Sequence, residues 1–158
     1  MFRKLAKANK AISEEKCIAL LKNQKRGVLS VLGDDDYPYG MPLNHYYDEE
    51  TGNIYFHSGN YGHRKAAVEK HDKVSFCVLS DPQEVEGTFG LDLQSVIVFG
   101  RMKVVTDMDI IKDICRKLCL KFTQDMEWIE KEIEADAKAT ILLELTPDHM
   151  CGKFVNES

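Results

Sequence analysis

The chain has 158 residues, of which 44% are hydrophobic, 30% are charged and 9% are aromatic. This balance is typical of a globular domain and excludes disordered and collagen-like chains. A net charge of -5 at pH 7 argues against binding to nucleic acid or to an anionic membrane through a broad basic surface.

The sequence shows no sign of export or membrane insertion. It has no apolar run of the roughly 20 residues that a membrane helix needs, and its N-terminus lacks the apolar core of a signal peptide. Its five cysteines form an odd set within apolar segments, which favours reduced thiols over a disulfide framework. No repeat or linker divides the chain, so we expect a single cytoplasmic domain over residues 1–158 that binds neither nucleic acid nor membrane.

A helix and a series of strands are predicted for the first two thirds of the chain. Residues 14–23 carry helix signals, because Ser13 is a suitable N-cap and Ile12 and Cys17 have the spacing of a hydrophobic staple. Apolar runs between turn residues predict strands at 28–32, 39–47, 54–58, 74–80 and 95–106. One face of the last of these strands carries Val96, Val98, Gly100, Met102 and Val104. The loop 81–94 is long enough to have a function of its own.

A helical period follows the strands. From Asp107 onward, apolar residues recur on one face and predict a core-facing helix. These residues are Ile110, Ile111, Ile114, Cys115, Leu118, Cys119 and Phe122. A second helix near 125–135 and a last strand at 140–146 complete a mainly β fold, an antiparallel barrel with flanking helices. In the second helix, Trp128 and Met126 are either a lid over a bound ring or part of the helix packing.

Two segments suggest a binding site. Residues 57–65 place a glycine-bearing loop at the start of a short helix with Arg64 and Lys65, and a phosphate suits free amides, a positive helix end and a guanidinium. A solvated turn with incidental basic residues is the alternative. In the strand at 39–47, Pro42 removes a ladder donor, which predicts a bulge or a ligand-facing edge. There the free backbone groups either meet a planar heterocycle or belong to an edge strand that proline protects from aggregation.

No metal site or catalytic triad is indicated. The five histidines show no HExxH spacing, and no GxSxG or Walker-type loop occurs. The nearest approach to a zinc set is Cys115, Cys119, His149 and Cys151, but both helical cysteines lie on the apolar face. We therefore expect no metal.

Six fragments in the same order resemble the pyridoxamine 5'-phosphate oxidase-like flavoproteins, and most closely their nitroimidazole-resistance (Nim-type) branch. They are RGVLSV at 26–31, YPYGMPLN at 37–44, IYFHS at 54–58 followed by Gly62-His63, KVSFCV at 73–78, SVIVFGR at 95–101, and LELTPDH at 143–149 with Gly152-Lys153. The resemblance implies an FMN-binding split β-barrel that forms a homodimer, with the flavin in a groove at the subunit interface.

The resemblance also assigns site residues by position. Contacts to the isoalloxazine ring would come from Pro42, Leu43 and Asn44, contacts along the ribityl-phosphate side from His57 and Ser58, and further contacts from Ser95 and Val96 on the long strand. Arg64 would bind the phosphate, Gly62 and His63 would allow close approach, and Lys65 would be a second cation. Two departures are that the branch usually has lysine where Arg64 stands, and that residues 7–10 lack the arginine run often found there.

The implied activity is that of an FMN-dependent oxidoreductase, which passes electrons from NADH or NADPH to a small aromatic or nitroaromatic acceptor. Because the flavin carries the difficult chemistry, no dedicated acid or base is required, and His45 and His57 are secondary candidates for proton transfer. The alternative is a flavin- or haem-binding module without nitroreductase turnover, in which His45 or His149 would reach an iron. A structural dimer that has lost its cofactor is disfavoured by the retained Arg64 and Lys65.

Overall fold

The computed structural model describes residues 1–157, in which an antiparallel sheet curls into a half-barrel flanked by four helices. This confirms the predicted fold class. The strands are β1 (Arg26–Leu32), β2 (Pro38–Asn44), β3 (Tyr46–Tyr47), β4 (Ile54–Gly59), β5 (Lys73–Leu79), β6 (Gln83–Glu84), β7 (Leu91–Val105) and β8 (Thr140–Glu157). They pair in the order β2-β1-β5-β7-β8-β4-β3, and β6 pairs with the start of β7.

The helices are α1 (Glu14–Asn23), α2 (His63–Lys70), α3 (Met108–Cys119) and α4 (Met126–Asp136). As predicted, α1 starts after Ser13, whose hydroxyl accepts a hydrogen bond from the Lys16 amide at 3.3 Å. Asp107 caps α3 through two amides, and Asp125 caps α4 by accepting from the Trp128 amide at 3.0 Å. Such caps satisfy amides that have no partner within the helix. None of these helices has the length and apolar character that crossing a membrane requires.

The main core fills the inside of the curled sheet. Alternate residues of each strand point inward, and Leu29, Phe56, Phe76 and Val98 are fully buried there. Helix α1 covers this core with Leu20, Leu21 and Cys17. The predicted inward face of the long strand is confirmed, because Val96, Val98, Gly100 and Met102 are buried and Val104 is partly buried.

A second core lies on the outer side of β4 and β8, where the α3–α4 hairpin packs. Ile111 and Ile114 of α3 contact Tyr55 and Leu142 of the sheet. The predicted core face of α3 is wrong at its two ends, because Ile110 and Phe122 are exposed. Ile110 lies in the first turn at the margin of the buried stripe, and Phe122 follows the end of α3, so that helical spacing no longer applies to it.

Three strand boundaries differ from the predictions. The strand predicted at 39–47 is split at His45, whose side chain is fully buried. The long strand begins at Leu91, which shortens the predicted loop, and the last strand extends from 146 to 157. Pro147 does not end it because a β-bulge between Phe99 and Gly100 accommodates the missing amide. Gly100 is required there, since a Cβ atom would lie 2.2 Å from the Thr146 carbonyl oxygen.

Candidate functional site

Strand β4 directs two of the predicted cofactor residues to opposite faces of the sheet. Phe56 lies in the inner core, and the two-residue period places the buried Ser58 on the same side. His57 lies on the outer face together with Tyr55 and keeps an exposed edge. His57 is therefore the residue of this pair that a ligand on the outer face can contact.

Arg64 lies in the first turn of α2, where its charge acts on His57. Although the His57 ring has an exposed edge, surrounding atoms screen it from water, and this burial, followed by the Arg64 charge, lowers its pKa. The Arg64 Nε atom is buried and has no hydrogen-bond partner within residues 1–157. Gly62 precedes the helix with φ +109°, a conformation that favours glycine, and no side chain caps the first turn. The neutral imidazole of His57, the guanidinium of Arg64 and the uncapped amides of α2 thus lie in the same region of the protein.

The two neighbours of Arg64 have partners elsewhere. The Lys65 Nζ atom lies 2.5 Å from the Glu69 carboxylate one turn along α2. The His63 ring stacks on Tyr39 with a centroid distance of 4.4 Å, and its Nε2 atom accepts a hydrogen bond from the Asp34 amide at 3.2 Å. His63 therefore attaches α2 to the β1–β2 turn. Within the described residues 1–157, Arg64 has no ion-pair partner, whereas Lys65 pairs with Glu69.

Strand β2 is an edge strand, and its register with β1 contains no bulge, so the predicted bulge is wrong and Pro42 lies at a sheet edge. Leu43 packs against the inner core. The Asn44 Oδ1 atom is buried and has no hydrogen-bond partner within residues 1–157. Among these three residues, Asn44 offers an unused polar atom.

A cavity of about 250 Å³ joins Asn44 and His57 to the α3–α4 hairpin. From the hairpin it is lined by Cys115, Leu118, Cys119, Phe122, Trp128, Glu132, Ile133, Asp136 and Ala137, and Thr140 completes the wall. Apart from Trp128, which the sequence offered as a lid over a ring, this wall was not predicted. The signal for it was present in α4, where Trp128, Glu132 and Asp136 follow the i, i+4, i+8 spacing of one helix face. Trp128 is 48% exposed, so it lines a cavity rather than filling the core.

The cysteines in this wall behave as apolar groups. Burial and the neighbouring Cys119 raise the pKa of Cys115 to about 11. Burial and Glu132 raise the pKa of Cys119. Both side chains are therefore thiols at neutral pH and are poor nucleophiles and metal ligands. Within residues 1–157, no group of three or more His, Cys, Asp or Glu side chains is arranged to hold a metal ion.

Two other histidines considered as candidates are engaged in packing. His45 is fully buried, its Nε2 atom lies 2.7 Å from the Leu21 carbonyl oxygen, and its ring packs edge-on against Phe76. Burial, followed by the Lys121 charge, lowers its pKa to about 4. His45 is thus a neutral core residue that no substrate or haem iron can reach. The His149 ring is partly buried and stacks on Phe2 at 4.8 Å.

The outer face of the sheet carries an apolar row that begins at the predicted residue Pro42. Cross-strand pairing places Pro42, Val28, Cys77, Ile97 and Cys151 in one line across five strands. Val28 is 43% exposed and Ile97 is 37% exposed, although both are large and apolar. Contiguous exposed apolar surface of this kind marks an interaction face.

Ser95 and Val96 occupy opposite faces of β7. The Ser95 side chain is partly exposed and lies on the outer face of β7, two residues before Ile97 of the apolar row. Val96 has no exposed surface and belongs to the inner core, so its side chain cannot contact a bound molecule. Strands β1 and β5 separate Ser95 from Pro42, a distance of about 14 Å at the usual strand spacing.

Solved structures of low sequence identity share this fold. A protein of Bacteroides thetaiotaomicron proposed to act in 5-nitroimidazole antibiotic resistance is 15% identical with a TM-score of 0.78, and the match covers 93% of this chain and 87% of that one. The flavocytochrome Anf3 of Azotobacter vinelandii is 18% identical with a TM-score of 0.77, covering 97% and 72%. An FAD-binding protein of Mesorhizobium loti is 18% identical with a TM-score of 0.64, covering 92% and 97%. At these identities, the likeness establishes the fold.

Sequence comparison gives the family. No curated protein is significantly similar to the chain. The model of the family described as pyridoxamine 5'-phosphate oxidase matches residues 13–154, which include all the strands that carry the site. The resemblance of the six fragments is thereby confirmed, and the chain belongs to the pyridoxamine 5'-phosphate oxidase family.

Proposed function

We propose that the protein binds FMN beside β2 and β4 and is an oxidoreductase that passes electrons from NADH or NADPH to a small aromatic or nitroaromatic acceptor. The observation that carries this proposal is a pair of buried polar atoms, Asn44 Oδ1 and Arg64 Nε, that have no hydrogen-bond partner within residues 1–157. Asn44 lines a cavity together with His57, and the charge of Arg64 acts on His57. A buried polar atom that lacks a hydrogen bond costs about 1–3 kcal/mol, so each of these atoms is better explained by a ligand.

The residues present fit the parts of FMN. The Arg64 guanidinium and the uncapped first turn of α2 offer donors and positive charge to a phosphate. Asn44 Oδ1 is an acceptor, which suits the ring N–H of the flavin pyrimidine. His57 is neutral because its pKa is lowered, so it can donate one hydrogen bond and accept another between these two ends.

The apolar row supports a homodimer. Pro42 lies at one end of the row, next to the proposed flavin site, and Val28 and Ile97 expose apolar surface along it. Two copies paired through this face bury the row in a self-complementary interface. Such pairing would also bring Ser95 of one copy towards the flavin of the other, which a single chain does not achieve across about 14 Å.

When bound, FMN supplies the two-electron chemistry. With a nitroarene as acceptor the reaction is NAD(P)H plus H⁺ plus nitroarene giving NAD(P)⁺, nitrosoarene and water. The chain binds the phosphate with Arg64, holds the ring with Asn44 and places a neutral His57 beside it. The required proton comes from solvent, and the exposed edge of His57 gives it a route.

The experiment is a visible absorption spectrum of the purified protein with chromatographic identification of the released chromophore. We expect flavin bands near about 370 and 450 nm and release of FMN. A colourless protein that fails to bind added FMN refutes the proposal. Consumption of NADH or NADPH matched to loss of a nitroarene tests the reaction, and FMN binding without turnover identifies the alternative, a flavin-binding module.

The cytoplasmic location stays a prediction from the sequence.

A further inference from the structure

The α3–α4 wall of the cavity suggests more than flavin binding. The residues that bear on FMN, Asn44 and His57, form one side, and the hairpin forms an opposite side of different chemistry. That side is an apolar surface with two aromatic residues, Phe122 in the loop after α3 and Trp128 of α4, which are 46% and 48% exposed. Half-exposed aromatic side chains over a cavity are suited to stacking on a flat ligand.

The volume limits the size of that ligand. An apolar cavity of about 150 Å³ holds one benzene molecule. The cavity here, of about 250 Å³, therefore has room for one aromatic ring with a small substituent, and it is below the range of about 300–1,000 Å³ that drug-sized ligands occupy.

The charges around the cavity are unequal at its two sides. Glu132 and Asp136 lie on the α4 side, and Asp136 is the last residue of a helix whose final turn has no basic residue. The negative end of the helix dipole adds to these carboxylates. Two cations lie outside the lining: Lys25 is over the Phe122 ring of the hairpin wall at 5.2 Å, and the charge of Arg64 acts on His57 at the β4 side. An anionic group near α4 is disfavoured, whereas an electron-rich group such as a nitro group suits the cationic side.

We propose that the cavity between the α3–α4 hairpin and β4 is the acceptor pocket, and that it selects single-ring aromatic molecules that are neutral or positively charged. The identification of the bound molecule as the electron acceptor rests on the proposed function. Binding of such rings to the cavity does not, because the walls are formed by this chain without a cofactor.

Trp128 provides a direct measurement, since it is the chain's single tryptophan and lines the cavity. Nitroarenes quench tryptophan fluorescence on contact. The probes are 4-nitrobenzylamine, 4-nitrobenzyl alcohol and 4-nitrobenzoate, which share the ring and nitro group and differ in charge. We expect saturable quenching of the full-length protein, with or without FMN, and binding of the anion roughly fivefold weaker than that of the neutral probe.

Two sets of variants locate the binding. Cys119→Phe fills the cavity and should weaken all three probes about tenfold, whereas Ala135→Phe adds the same ring on the exposed side of α4 and should not. The double variant Glu132→Gln with Asp136→Asn keeps the packing and should abolish the discrimination against 4-nitrobenzoate. Glu134→Gln is the matched control, because Glu134 is exposed and does not line the cavity.

The outcomes separate this inference from the proposed function. Loss of FMN affinity in Cys119→Phe would show that the cavity holds the flavin itself and would overturn the acceptor pocket. Equal quenching by all three probes, or quenching that both phenylalanine variants leave unchanged, would also overturn it. A protein that never binds FMN but shows the expected quenching pattern would refute the proposed function and leave the ring-binding pocket in place.

Discussion

Replacing Arg64 by alanine is expected to weaken FMN binding without changing riboflavin binding. Riboflavin has the same ring system and ribityl chain but no phosphate, so the difference between the two ligands isolates the phosphate contact. The Arg64 Nε atom is buried and has no hydrogen-bond partner among residues 1–157, and a hydrogen bond to a charged group contributes about 1.5–3 kcal/mol. The expected loss for FMN is therefore roughly 10- to 150-fold in Kd.

Flavin fluorescence titration measures both affinities. Lys65→Ala is the control, because the Lys65 ammonium is 2.5 Å from Glu69 and is already neutralised. We expect Lys65→Ala to change the FMN Kd by less than about threefold. If Arg64→Ala weakens riboflavin as much as FMN, or if Lys65→Ala has the larger effect on FMN, the assignment of the phosphate position is incorrect.

Three further predictions concern the stability of the scaffold, each measured as the free energy of unfolding in urea. Phe56→Ala should cost about 3–5 kcal/mol, because the ring is fully buried in the inner core, and a cost below 1 kcal/mol would contradict that packing. Gly100→Ala should prevent the native β7–β8 pairing, since its Cβ atom would lie 2.2 Å from the Thr146 carbonyl oxygen, and a native-like melting temperature would disprove the bulge. For His45, the unfolded chain takes up a proton below the ordinary pKa of 6.5, whereas the folded protein does so only near its lowered pKa of about 4. The free energy of unfolding is therefore greatest above pH 6.5 and falls by roughly 3 kcal/mol towards pH 4. His45→Gln should remove this contribution and leave the one from His57, whose pKa burial also lowers, whereas His71→Asn should leave the pH dependence unchanged.

Elements whose signals are local could be predicted from the sequence. The limits of α1 follow from Ser13 and the apolar spacing after it, and both are confirmed. The inward face of β7 follows from its two-residue period. The sequence predicts that the last strand ends at 146, directly before Pro147. Only its pairing with β7 through a bulge, a contact between distant segments, shows that the strand continues through Pro147.

The candidate site also contains residues with a local sequence signal and contacts that only the folded structure shows. Residues 57–65 carry their signal within one stretch of chain, so Arg64 and His57 could be selected before the structure was known. The sequence did not indicate that Lys65 pairs with Glu69 or that His63 stacks on Tyr39. Lysine and histidine occur in phosphate-binding loops and in purely structural loops, so the residue types do not distinguish the two roles. The burial of His45 also depends on the contact between its ring and Phe76 on another strand.

This division has a consequence for how the activity is organised. The proposed phosphate contact lies within one turn of a helix and the loop before it, whereas the wall opposite comes from Cys119, Trp128 and Glu132 on a separate hairpin. Ile111 and Ile114 anchor that hairpin to Tyr55 of β4 and Leu142 of β8. Under the two proposals, substitutions in the exposed half of the hairpin would change which acceptor binds and leave the flavin contacts as they are. Acceptor preference would then be a property of α3 and α4, and cofactor preference a property of β2, β4 and α2.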